Sequence, residues 1–229
     1  MIDWWICDQA PQVGSWLSHT EQVTLDGLTL PKRRADWLLG RWTAKQLVQA
    51  HLGARGPGPP PFDAISIDAD EDGAPGVHCR DDGTEWPAIS LSISHSNGVA
   101  LCALSSVPGV AVGADIERVE PRDETFVRDF FTPAEAAAFH PLAGGERDRA
   151  VTASWCVKEA SLKALKVGLR ADTRTVECAP RACGEGWSEV SVHGPGALAA
   201  WWRLHGPFAV ALATETRNDT GCRGNHLPE

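Results

Sequence analysis

The chain has 229 residues, 43% of them hydrophobic and 22% charged, a composition that excludes a wholly disordered polymer and leaves room for one large domain or two small ones. Its formal net charge of −9 argues against a general nucleic-acid surface, whose affinity comes from neutralising phosphates. No apolar run approaches the roughly 18 residues of a membrane-spanning helix. The opening Met1-Ile2-Asp3-Trp4-Trp5 lacks the basic and apolar regions of a secretory signal, so the expected location is the cytoplasm. Seven cysteines form no CxxC pair, Cys178 and Cys183 being nearest in sequence. They read as buried or incidental thiols rather than as a metal cluster or disulfide framework.

The first predicted helix runs from Ala35 to about His51, with Trp37, Leu38, Ala44, Leu47 and Val48 at helical spacing and Arg41 and Lys45 four apart on one face. Lys32, Arg33 and Arg34 extend these two into a basic cluster, suited to a small anionic ligand or to a solvated helix face. The Gly/Pro run from Gly53 to Pro61 terminates the helix, and Ala64 to Asp68 reads as a short strand. A Gly/Asp-rich connection follows to about Pro87. Ile89, Leu91 and Ile93 then alternate with Ser90, Ser92 and Ser94, the period of a half-buried strand, and Asn97-Gly98 turns the chain into a second strand through Val99, Leu101 and Ala103. The run from Val110 to Ile116 predicts a third.

Thr132-Pro133-Ala134-Glu135 is a capping box with proline at the first helical position, opening a short helix through about Phe139. A long helix is expected from about Arg147 to Lys166, stopped by Gly168, followed by strands at Ser188 to Val192 and Phe208 to Thr214. No repeat is evident from residue identities, although helix-then-strands occurs once in each half. The expected organisation is residues 1–108, residues 109–214 and a flexible tail at 215–229.

The chemistry concentrates in two motifs. Gly113-Ala114-Asp115-Ile116-Glu117 ends an apolar run, and in an extended chain Asp115 and Glu117 point to the same side. In Trp155-Cys156-Val157-Lys158-Glu159-Ala160-Ser161-Leu162-Lys163, Glu159 and Lys163 lie four apart on one helical face. Three carboxylates are oxygen ligands suited to a hard divalent ion, magnesium above all, and a lysine beside them can stabilise a phosphate. Each pair alone has a plainer reading: a solvated strand end for Asp115 and Glu117, a surface ion pair for Glu159 and Lys163. Trp155 alone reads as a core anchor, and Phe130 and Phe131 as core rings or the border of a docking surface.

Together with Ile93-Ser94-His95-Ser96 upstream, these motifs resemble the 4'-phosphopantetheinyl transferase superfamily, specifically its Sfp type, in identity, order and separation. The resemblance runs from about Arg33 to Gly168 and implies an α/β (α+β) fold. Two similar mixed halves would be arranged with pseudo-two-fold symmetry, each with a small, largely antiparallel sheet and a packed long helix, and with coenzyme A held between them. It implies transfer of the 4'-phosphopantetheine of coenzyme A to a serine hydroxyl of an apo acyl, peptidyl or aryl carrier protein, releasing adenosine 3',5'-bisphosphate, in pathways such as nonribosomal peptide or polyketide synthesis. On this resemblance Asp115, Glu117 and Glu159 bind Mg2+, Glu159 activates the serine and Lys163 stabilises the pyrophosphate. Arg34, Arg41, Lys45, Gly73, Pro75, Ser94, His95, Lys158 and Lys163 are its candidate coenzyme A contacts. Ala74 departs from the pattern, since a basic residue is frequent at that place in the adenine-side loop. A monomer is expected. The competing readings are a coenzyme A or carrier-binding module without turnover, and a metal-dependent pyrophosphate hydrolase; no Walker sequence supports a P-loop enzyme.

Overall fold

The computed structural model describes residues 2–54, 58–70, 73–79, 86, 88–179 and 186–216. The expected tail beyond residue 216 and most of the connection between residues 80 and 87 lie outside them. The chain divides into two compact units that meet in sequence at Pro108 and Gly109.

In the first unit, β1 (Asp3–Cys7) is followed by α1 (His19–Asp26), α2 (Pro31–Gly53), β2 (Ile65–Ala69), β3 (Pro75–Cys79), β4 (Ser90–Ser96) and β5 (Val99–Ser105). The sheet order is β1-β5-β4, all antiparallel, with β2 and β3 as a separate hairpin. Asn97 and Gly98 take φ of 50° and 79°, the paired positive values that a two-residue hairpin turn requires. Helix α2 begins at Pro31, four residues before its expected start, because proline fills the first helical position without losing a hydrogen bond. Its apolar face, with Ala44, Leu47 and Val48, packs with Ile65, Ile67, Leu91, Cys102 and Leu104.

The second unit runs β6 (Val110–Arg118), α3 (Glu124–Phe130), α4 (Pro133–Phe139), α5 (Gly144–Ala164), β7 (Glu177–Cys178), β8 (Ser188–Val190), β9 (Val192–His193), β10 (Leu198–His205) and β11 (Phe208–Thr216). Its main sheet has the order β6-β11-β10-β8, and β7 pairs with β9. The capping box at Thr132 and Glu135 is formed as expected. Helix α5 stops two residues short of Lys166, because Lys166 itself turns left-handed at φ 60°. The Val167 N–H then closes the end by donating to the Leu162 carbonyl at 3.1 Å.

The two units repeat one plan, and a buried ion pair marks it. In the first, Glu21 caps α1 from the Ser18 box and its carboxylate also accepts from Ile67 N at 3.2 Å and pairs with Lys45. The other Lys45 donors go to the carbonyls of Trp16 and Phe62, both at 2.9 Å. In the second, Glu135 caps α4, accepts from Cys178 N at 2.9 Å and pairs with Lys158 at 2.8 Å, while Lys158 also donates to the carbonyls of Thr173 and Val176. Each ammonium also lies over an aromatic ring, Trp16 in one unit and Phe131 in the other. Trp42-x-x-Lys45 therefore matches Trp155-x-x-Lys158, and the duplication absent from residue identities is present in the contacts.

Helix α5 lies against β6 at Gly113 with no space between backbones. A Cβ there would stand 1.9 Å from the Ala160 carbonyl oxygen and 2.7 Å from Ala164 N. Both obstacles are helix backbone, so neither can swing aside. Gly113→Ala is expected to destabilise the protein by about 3 kcal/mol or more, lowering the thermal midpoint by roughly 10 °C; calorimetry on the purified variant checks this.

Candidate active site in the second unit

Residues 115 and 117 of β6 pair opposite Ala211 and Ala209 of β11, small neighbours on the strand beside them. The close approach at Gly113 lays α5 along this strand and brings Lys163 to Asp115. The Lys163 ammonium donates to Asp115 Oδ1 at 2.7 Å and to the Ala114 carbonyl at 3.1 Å. Burial is the largest influence on Lys163 and pushes its pKa down, but the Asp115 charge and hydrogen bond, with help from Glu159, outweigh it and leave the pKa raised. The lysine is therefore a fixed cation.

Glu159 sits one turn earlier on α5, and its Oε1 is buried with no hydrogen-bond partner. Burial first, then repulsion from Asp115 and Glu117, lifts its carboxyl to about 7 against a pull downward from Lys163. Burial and Asp115 likewise raise Glu117, opposed by Arg122 and by a hydrogen bond from the Trp155 side chain. Behind the cluster, Cys156 donates to the Asp115 carbonyl at 3.0 Å. Burial holds this thiol well above its ordinary value, so it packs as a neutral group and offers no thiolate nucleophile.

Among the described residues no group of three His, Cys, Asp or Glu side chains is arranged to hold a metal ion as it stands. The chemistry nonetheless fits one. Asp115, Glu117 and Glu159 offer hard oxygens, and burial together with the neighbouring negative charge raises the Glu117 and Glu159 carboxyls. The orphaned Glu159 Oε1 is a buried acceptor with nothing to accept from. A divalent cation would relieve both conditions.

The repeat shows that this chemistry belongs to one copy. Counted from the hairpins, with Val99 matching Phe208, and from the buried lysines, the first unit carries Trp5, Cys7, Gln46 and Ala50 at the places of Asp115, Glu117, Glu159 and Lys163. Where Gly113 meets Ala164, the first unit has Asp3 hydrogen-bonded to His51 at 2.5 Å.

Comparison with known proteins agrees with the motifs. Residues 111–213 match the family model of the 4'-phosphopantetheinyl transferase superfamily. The 4'-phosphopantetheinyl transferase HetI of Nostoc sp. (strain PCC 7120 / SAG 25.82 / UTEX 2576) is 26% identical over 163 residues, covering 70% of this chain. The chain spans 64% of that relative's length.

The expected coenzyme A contacts are scattered in role. Lys45 and Lys158 are fully buried with their three donors bound inside the protein, so neither presents an ammonium to a ligand; both hold the fold. Lys45 stood out through its spacing from Arg41 and Lys158 through the family motif, while the Glu partner of each lies more than twenty residues away in sequence. Arg34 donates to the Leu25 carbonyl at the end of α1 at 2.6 Å, and Lys32 pairs with Asp36 at 2.7 Å, which breaks up the expected basic cluster. Arg41 lies over the Trp37 ring at 5.0 Å, its Nε is buried without a hydrogen-bond partner, and burial lowers its pKa. Ser94 is buried and His95 exposed on β4, and His95 Cδ2 stands 4.0 Å from where a Cβ on Gly40 would lie, beside Arg41 in sequence. Gly73 takes φ 84° in the turn between β2 and β3, where Asp70 Oδ1 accepts from Ala74 N at 2.8 Å and Pro75 begins β3. The backbone sign explains the glycine.

Phe131 is buried and Phe130 partly so, in a ring cluster with Phe126 and Trp155. Their core reading holds. Two residues that touch the candidate site were missed. Arg122 lies 3.6 Å from Glu117, and Trp155 hydrogen-bonds the same carboxylate besides anchoring the core; only its spacing from Glu159 hinted at the second role.

Proposed function

We propose that the protein transfers the 4'-phosphopantetheine group of coenzyme A to a serine of an apo carrier protein, as a transferase of the Sfp type. The observation that carries this reading is the constellation of Asp115, Glu117, Glu159 and Lys163 on β6 and α5, inside the segment matched by the superfamily. The Nostoc relative, itself named a 4'-phosphopantetheinyl transferase, points the same way.

In the reaction, the serine hydroxyl oxygen attacks the phosphorus bearing the pantetheine, and the bond to the bridging pyrophosphate oxygen breaks. Adenosine 3',5'-bisphosphate leaves with that oxygen. Glu159, whose buried Oε1 has no hydrogen-bond partner within the protein, is suited to accept the serine proton. Lys163 is a permanent cation that can neutralise the leaving phosphate. Arg41, Ser94 and His95 are the first unit's candidates for coenzyme A phosphates. A divalent ion held by Asp115, Glu117 and Glu159 would supply charge neutralisation at the pyrophosphate oxygens.

The test is incubation with coenzyme A, Mg2+ and a panel of apo acyl, peptidyl and aryl carrier proteins, read by intact mass with and without chelator. A chelator-sensitive gain of one phosphopantetheine, about 340 Da by the chemistry of the transferred group, is the expected result. Coenzyme A binding without any gain would point to a binding module; released phosphopantetheine without protein modification would point to a hydrolase.

A further inference from the structure

Arg122 follows β6 and is held in a stiff setting. Its guanidinium stacks over the Phe126 ring at 4.9 Å, and its carbonyl accepts from Arg147 Nη1 at 2.8 Å. One end of the guanidinium faces Glu117 at 3.6 Å and the other faces Glu120 at 3.1 Å. The two partners differ in kind. Glu117 is partly buried in the carboxylate cluster, whereas the Glu120 side chain is 47% exposed and stands outside it. Arg122 thus lies between a site carboxylate and an alternative acceptor.

We infer that Arg122 is a placeholder cation for the site, bridging Glu117 and Glu120 while no divalent ion is bound and resting on Glu120 alone when one binds. Glu120 is a positioning residue that acts only through Arg122. The physical reason is charge balance. A cluster with Asp115, Glu117 and Glu159 needs positive charge in every state: Lys163 supplies it at Asp115, and Arg122 is the cation beside Glu117. A divalent ion arriving at Glu117 meets an arginine it must displace or repel. With Glu120 at 3.1 Å the guanidinium can leave by a short pivot while its stacking on Phe126 persists. Metal affinity is therefore set by the competition of Glu117 and Glu120 for one arginine, outside the set of ligands. This rests on the reading of Asp115, Glu117 and Glu159 as a divalent-cation site.

The experiment measures Mn2+ binding by electron paramagnetic resonance of the free ion, without coenzyme A and at low ionic strength. It compares the unmodified protein with Arg122→Gln, Glu120→Gln and the double variant, with thermal unfolding of each as a check on folding. Arg122→Gln is expected to tighten Mn2+ about three- to tenfold by removing the competing charge. Glu120→Gln is expected to weaken it about two- to threefold, because the arginine then stays on Glu117. In the Arg122→Gln background the Glu120 substitution should change nothing, since its effect passes through the arginine. An equal effect of Glu120→Gln in both backgrounds would reduce it to long-range charge and overturn the inference, as would unchanged or weaker Mn2+ binding by Arg122→Gln. Absence of Mn2+ binding in every form, folded by thermal unfolding, would overturn the cation site itself and the inference with it.

Discussion

Glu159→Gln is expected to abolish nearly all transfer, by about a hundredfold to ten-thousandfold in turnover, while making the metal-free protein more stable at alkaline pH. The two effects share one cause. The carboxyl is buried beside Asp115 and Glu117, and its folded-state value of about 7 lies above the ordinary 4.5 of a glutamate. Below about pH 4.5 both folded and unfolded chains hold the proton, and the group costs the fold nothing. Between about 4.5 and 7 the unfolded chain ionises while the folded one keeps its proton, so stability falls with rising pH; above 7 the loss is complete, on the order of 3 kcal/mol. Glutamine cannot ionise and escapes this cost. The thermal midpoint of Glu159→Gln relative to the unmodified protein should therefore rise between pH 5 and pH 8 by roughly 4 to 8 °C, measured in chelator. A variant that lost turnover with no pH-dependent gain would show that the carboxyl is not under the electrostatic pressure described. Near-normal turnover would remove Glu159 from the chemistry.

How far the site was legible in sequence depended on the distance over which each residue is held. Asp115 and Glu117 were readable because strand periodicity is local, and Glu159 and Lys163 because helix periodicity is; the structure puts these pairs on β6 and α5. What joins the two elements is Gly113, whose need for a missing side chain becomes visible only when α5 is laid against the strand. The capping box at Thr132 stood out because proline and an apolar stretch follow it. The same box at Ser18 did not, because the helix it opens, His19–Asp26, is short and mostly polar. With that box unread, Glu21 had no visible claim on Lys45, and the two-fold plan came from the family resemblance rather than from the residues themselves. Strand β1, with adjacent tryptophans and no alternation, gave no strand signal either; its place comes from pairing with β5 nearly a hundred residues on.

The buried clasp that Lys158 forms with Glu135, like that of Lys45 with Glu21, also decides between two meanings of the lysine preceding Glu159. If Lys158 met coenzyme A, its loss would raise the KM for coenzyme A and leave stability alone. Its ammonium is instead enclosed by Glu135, Thr173 and Val176, with the Phe131 ring beside it. Lys158→Ala leaves the Glu135 carboxylate buried without its counter-charge, and breaking a buried pair from one side costs about 3–5 kcal/mol. That is a large share of the roughly 5–15 kcal/mol that holds a typical domain. Lys45→Ala should cost a similar amount through Glu21, because the two clasps have the same anatomy. Replacing both members of a clasp, as in Glu135→Gln with Lys158→Met, should cost less than the lysine change alone, since no uncompensated charge remains. Denaturant unfolding of the single and double variants measures this, and coenzyme A kinetics on the folded fraction well below the thermal midpoint should show KM within about threefold of the unmodified protein, too small a change for a lost hydrogen bond to a charged phosphate. A tenfold rise in KM at undiminished stability would return Lys158 to the ligand. A large loss of stability at constant KM would instead establish that Lys158 serves the fold, the part that the contacts of its counterpart Lys45 give it in the first unit.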